Sequence, residues 1–512
     1  MIKVSFSFLV ALLCCTAISY ADVRLAPVFT EHMVLQRDKP LPIWGEAKPK
    51  ALISVAFAGQ TKTTRVDAQG HWKVVLPQQV ASSIGRELVV SGDGSAKTLS
   101  DVLVGEVWVC AGQSNMEFPL KNEVTGPQAL TDANNPLLRL NLWHYRSQYV
   151  YNAPFTPGQV EGLVTERFYE GGWAPATPES AREFSAIGYF FGRRLQQKLG
   201  VPVGIISLAA GGSPTEAWIR REALANNVEL APIVAGNWLE NADLDDWCRL
   251  RGHQNLDKPL ADKLAVPSDD LGPNHAFKPS FLWQAGIARL IPFAMRGVLW
   301  YQGESNSLEL RRVLQHEKLF PLLVSDWRRQ WGQSDFPFYF AQLSGIETTG
   351  YKSQFWPQFR DSQRRFGDTI HSAASVVTSD LGARNNVHPT NKHDVGERLA
   401  SVALAKTYGQ PIEWSGPSPR SLTLKGKQLV VSFNHAVGMR PKNGEAMRGF
   451  QIAGADGQFF DALARIEGTS VMLENVAVPH PLQVRYGWQP FTDANLENAS
   501  GLPTSTFQLS LR

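Results

Sequence analysis

The 512-residue chain carries 50 Lys and Arg against 47 Asp and Glu, a formal net charge of +3, and is 43% hydrophobic and 19% charged. That is the composition of a folded globular protein, too long for one ordinary domain. The near balance of charge excludes the electrostatic footprint of a nucleic-acid binder. The nearest basic cluster, Arg360 with Arg364 and Arg365, reads as one solvated helix face.

Residues 1–21 read as a cleavable leader. Lys3 precedes an apolar stretch from Phe6 to Ile18, and small residues stand at Ser19 and Ala21. This predicts a secretory signal peptide cut after Ala21, hence a secreted or periplasmic protein. The stretch is too short to span a bilayer, so no membrane partner is expected. The leader takes Cys14 and Cys15 with it. Cys110 and Cys248 remain, to pair in an oxidising compartment or to stand as buried thiols, the reading favoured for Cys110.

Residues 22–100 alternate short apolar runs with Gly, Pro and Asp clusters, which predicts an N-terminal β-sandwich region. Residues 410–512 have the same texture and predict a C-terminal β region; the two ends are either separate sandwiches or halves of one. Residues 101–409 alternate strands with helices, as a mostly parallel sheet covered on both faces requires. Ser180 and Glu183 suggest a capping box before a helix that Gly200 and Pro202 stop. A later helix is expected to kink near Pro321, another lies around Phe359 to Phe366, and the last runs from about Lys392 to Tyr408. Residues 225–278 show no steady period and read as a long insertion, either part of a site or a surface loop with its own small core.

Ligands of such sheets bind beyond the carboxyl ends of the strands. Four expected strand ends carry chemistry: Gly112-Gln-Ser114-Asn, Ala210-Gly-Gly-Ser213, Gln302-Gly-Glu304-Ser-Asn306, and Asp380 followed by Val387-His388-Pro389. A serine hydroxyl needs a base to act as a nucleophile near neutrality, and His388 can supply one. The imidazolium then formed needs a carboxylate, either Glu304 or Asp380. The oxyanion needs N–H donors, which a glycine turn or the amides of Asn306 and Gln302 can offer. Each residue alone is more often a turn, cap or loop residue; four at successive strand ends favour a hydrolytic site.

The segments GQSNM, GGSPTEAW, WYQGESN and HPTNKHDVGERLA together resemble the sialate O-acetylesterase family, and the flanking β segments extend the likeness over nearly the whole mature chain. The resemblance implies an SGNH (flavodoxin-like) α/β/α hydrolase domain flanked by β-sandwich regions. It implies Ser114 as nucleophile and first oxyanion donor through its own N–H, and His388 as base. Gly211 becomes the second donor, with Gly212 its competitor; Asn306, Gln302 or Ser305 becomes the third. Many such enzymes carry an Asp three residues before the His. Here that position is Asn385, so Glu304 is preferred as the acid and Asp380 is the alternative. The implied reaction releases acetate from an acetylated oligo- or polysaccharide, sialylated or hemicellulosic, with no metal or organic cofactor. A non-catalytic carbohydrate-binding protein and a lipase-like esterase are the competing classes.

Overall fold

A computed structural model of the chain describes residues 23–511, apart from positions 93 and 334; the expected leader lies outside the described residues. The strand Ser95–Gly112 has two characters along its length. Its first third is largely exposed, whereas every residue from Val102 to Gly112 is buried. A run buried on both faces is what a central strand of a covered parallel sheet requires.

The two halves do different things. The first half pairs antiparallel with Ser82–Gly92 and parallel with Val34–Gln36, inside the N-terminal β region. The second half is the centre of the main sheet, with Val203–Ser207 on one side and Gly297–Tyr301 on the other. The expected boundary at residue 100 therefore falls within one continuous strand. Across the main sheet the order is Tyr169–Ala176, Asn135–Tyr145, Val203–Ser207, Ser95–Gly112, Gly297–Tyr301, Phe338–Ala341 and Ala373–Val376. Neighbours are parallel except Tyr169–Ala176, which runs antiparallel at one edge. The chain first builds to one side of Ser95–Gly112 and then to the other. That reversal opens a crevice at the carboxyl end of the central strand.

The helices cover this sheet as the alternation predicts, with two corrections. The capping box is one turn earlier than expected: Thr177 and Ser180 close it for Pro178–Arg182, and Ser185 separately caps Ala186–Leu199, its Oγ accepting from the Gly188 N–H at 3.1 Å. The supposed solvated face of Trp356–Thr369 is also wrong. Arg360 is fully buried and Arg364 nearly so. Leu310–Trp331 holds Pro321 inside it, and His393–Lys406 is the last helix. The insertion contains a helix, Asp246–Ala261, that the sequence pattern did not reveal.

Beyond residue 417 the chain forms two antiparallel four-stranded sheets around one apolar core that includes Leu429, Val431, Phe450, Val484 and Phe507. None of their strands pairs with the N-terminal region among the described residues. Cys110 and Cys248 are both buried and free, so they do not pair.

Candidate active site

Three turns meet at the carboxyl end of the central strand because their backbones leave no room for anything else. Gly112 has φ of 131°, and a Cβ there would lie 2.2 Å from the Tyr301 carbonyl oxygen. Gln113 donates its N–H to that carbonyl at 2.9 Å, and its side-chain oxygen accepts from the Gly303 and Ser305 N–H groups at 3.3 Å each. The Ser305 hydroxyl donates to the Gly212 carbonyl at 2.8 Å, and the Ala210 N–H donates to that of Gly112 at 3.0 Å. Ser114 then opens the short helix Ser114–Glu117, where main-chain N–H groups have no helical acceptor.

Ser114 and His388, distant in sequence, meet here. The Ser114 hydroxyl and His388 Nε2 are 2.8 Å apart. Burial, and secondarily the charge of Lys392, hold the His388 imidazole down at about 4, so it is neutral at neutral pH. A neutral imidazole in this position can take the hydroxyl proton. The Asn386 side chain accepts the His388 N–H at 2.9 Å and fixes the loop.

Beneath the pair lies a polar network that sequence reasoning missed. Asn115 donates to the Glu304 carboxylate and, at 3.0 Å, to the Val387 carbonyl next to His388. Its oxygen accepts from the fully buried Lys392 ammonium at 2.5 Å. Burial lowers Lys392 to about 7, although Glu304 and Glu123 favour its charge, and burial raises Glu304. Asn115 thus ties the serine turn, the histidine loop and the Gln302–Asn306 turn together. Nothing in the spacing of Asn115 and Lys392 marks them; only the quoted motifs contain them.

Two expected residues have other partners. Asp380 places both carboxylate oxygens on the Arg398 guanidinium at 2.7 Å each, with no hydrogen bond to His388. A bidentate pair leaves it little to offer an imidazolium. Asn306 spends one amide N–H on Glu216 at 3.0 Å, and its oxygen accepts from the Thr215 N–H at 2.9 Å and from Gln302 at 2.6 Å. One of its two amide N–H groups is therefore held by the scaffold. Glu304 does reach the site, through Asn115 and not by direct contact with the imidazole.

Comparisons with known proteins place the chain among carbohydrate esterases. The family described as "Carbohydrate esterase, sialic acid-specific acetylesterase" matches residues 279–405, the span that holds Glu304 and His388. A carbohydrate acetylesterase from Xanthomonas citri of known structure is 33% identical, with a TM-score of 0.78, over 95% of this chain and 99% of its own. The chain belongs to the sialate O-acetylesterase family of carbohydrate esterases. The sialate O-acetylesterases of Mus musculus and Homo sapiens are each 29% identical over 80% of this chain, covering 79% and 76% of their own lengths. The protein is accordingly a carboxylic ester hydrolase.

Residues of the insertion pack against the Gly211–Gly212 turn of this candidate site. At Gly212, φ is 75°, and a Cβ would come within 2.7 Å of Phe277 and 2.8 Å of Trp247. These two rings stack at 5.3 Å, and Arg251 lies over Trp247 at the same separation. On the other side, Glu117 and the Tyr151 hydroxyl crowd Gly211: a Cβ there would be 2.7 Å from Glu117 Oε2 and 2.2 Å from Tyr151 Oη. Gln148 donates to Glu117 Oε1 at 2.7 Å. Burial nonetheless raises the Glu117 carboxyl to about 7, with Gln148, the Gly211 N–H and Tyr145 offsetting part of the rise.

Proposed function

We propose that the chain is a secreted carbohydrate O-acetylesterase with an SGNH-type catalytic domain, working through Ser114 and His388. The observation that carries the reading is the 2.8 Å contact between the Ser114 hydroxyl and His388 Nε2 at the topological reversal of the sheet. Ser114 Oγ attacks the acetyl carbonyl while His388 takes its proton. The oxyanion is received by the Ser114 N–H at the helix start and by the Gly211–Gly212 turn. On collapse of that intermediate, His388 returns the proton to the departing sugar oxygen, leaving acetyl-Ser114. Water, deprotonated by the same imidazole, then releases acetate. Glu304 serves as the acid of the site by fixing Asn115, and through it the main chain beside His388. The leader ends at Ala21, and the mature chain comprises the N-terminal β region, the esterase domain with its insertion, and the C-terminal β region.

The substrate class follows from the walls. Aromatic rings on one side and a buried carboxyl with tyrosine hydroxyls on the other suit a pyranose bearing a small acyl group. The test is acetate release from acetylated sialic acid, xylan and xyloglucan. Wild-type release is expected on at least one of them, falling by roughly 10³-fold or more in Ser114→Ala. Glu304→Gln should lower kcat by about 10- to 100-fold, whereas Asp380→Asn should leave kcat within about threefold, because its partner is Arg398. Undiminished release by Ser114→Ala would refute the mechanism.

A further inference from the structure

A cavity of about 870 Å³ lies where the N-terminal β region meets the main domain, and it shares no residue with the Ser114 site. Its floor is the outer face of the three-stranded sheet Arg24–Leu25, Leu41–Glu46 and His71–Leu76. Strand register sets which side chains stand together. Trp44 faces Lys73, Glu46 faces His71, and Arg24 faces Glu46 across the other neighbour. Trp44 is half-buried, with Phe29 packed edge-on at 4.7 Å. Glu166, Arg289 and Pro292 of the main domain form the opposite wall. Arg289 donates to the main-chain carbonyls of Glu166 and Thr165, so its position is fixed without a carboxylate partner. Trp72, which also lines the cavity, keeps a buried indole N–H that has no partner among the described residues.

We propose that this cavity is a second glycan-binding site, one that holds an uncharged stretch of the polysaccharide whose acetyl groups are removed at Ser114. A pyranose has an apolar C–H face and a rim of hydroxyls. An immobilised indole beside fixed donors and acceptors complements both. Four cationic side chains (Arg24, Arg65, Lys73, Arg289) and three anionic ones (Glu46, Asp67, Glu166) line the cavity. That near balance offers donors and acceptors to hydroxyls while giving no net preference for an anionic sugar. Pro292 precedes the strand Gly297–Tyr301, so the cavity lies at its amino end, whereas Glu304 lies beyond its carboxyl end. A ligand spanning both must be a polymer. The site thus adds to the proposed acetylesterase reading the expectation of a polymeric, uncharged substrate.

The test uses full-length Ser114→Ala protein and affinity electrophoresis in acetylated xylan, acetylated xyloglucan and a sialylated glycoprotein, so that binding is read without turnover. Retention is expected in one of the two neutral polymers and not in the glycoprotein. Adding Trp44→Ala or, separately, the exposed-site change Lys73→Ala should weaken it, by tenfold or more for Trp44→Ala. With Ser114 intact, both changes should lower kcat/KM on the polymer several-fold and leave p-nitrophenyl acetate hydrolysis unchanged, which also reports correct folding. Absence of retention in both neutral polymers overturns the proposal. So does retention unaffected by either change, stronger retention in the sialylated glycoprotein, or equal losses on polymer and small ester. A failure of the Ser114 mechanism would appear instead as unchanged acetate release by Ser114→Ala, with binding unaffected.

Discussion

Glu117 stands three residues after Ser114 and against Gly211, so its charge bears on both folding and turnover. Its ordinary value of 4.5 is raised to about 7 by burial. The folded chain therefore holds a proton that the unfolded chain releases above 4.5. The stability linked to that proton is complete below pH 4.5 and is lost as pH rises to about 7, on the order of 3 kcal/mol. Ionisation also sets a negative charge beside the turn expected to receive the oxyanion, and like charge opposes its formation. Activity is thus expected to decline above about pH 7. Glu117→Gln should remove that alkaline limb in a kcat/KM profile and raise the denaturation midpoint at pH 8 relative to wild type. Ser114 and His388 were legible because a tight turn after an apolar strand and a histidine before the last helix are visible in one dimension. Glu117 and Lys392 were not, since their properties come from burial by residues far away in sequence.

The turns act as interlocked elements and not as separate loops. Glu216 and Arg312 are both fully buried and ion-paired, and Glu216 also accepts from Asn306. This joins Thr215–Trp218 to the start of Leu310–Trp331 and holds the Gln302–Asn306 turn between them. Removing one partner leaves the other charge buried and uncompensated. Arg312→Met should therefore cost about 3–5 kcal/mol in urea denaturation. Replacing both residues with apolar ones should recover much of that loss, with kcat falling less than stability in either case. Sequence pattern located these turns correctly at the strand ends. It offered Asn306 as an oxyanion donor, and what it could not show is that Glu216 takes one of the two amide N–H groups. Asp380 was likewise a candidate acid, and Arg398, one turn into the last helix, takes it.

At the scale of the whole molecule, Arg360 fastens the C-terminal β region to the main domain. Its guanidinium is buried, held down at about 9 by burial, and donates to the carbonyls of Gly487, Gln489 and Pro490. Ser505 adds a bond to Gln342 at 3.0 Å. Each carbonyl left unsatisfied costs about 1–3 kcal/mol. Arg360→Met is therefore expected to lower Tm by several degrees and to expose residues 410–512 to proteolysis before the main domain. The amino-acid sequence by itself determined the alternation of strands and helices, the β texture of both ends, the place of Ser114 after an apolar strand and of His388 before the last helix, and the family. These depend on local periodicity, turn chemistry and motif content, all carried by neighbours in the chain. Only the tertiary structure decided that one strand serves both the N-terminal region and the main sheet, that Arg360 is buried, that Asp380 belongs to Arg398, and that Asn115 and Lys392 support the site. Hydrogen-bond partners and desolvation are properties of three-dimensional neighbours, and these residues draw theirs from segments up to hundreds of positions away.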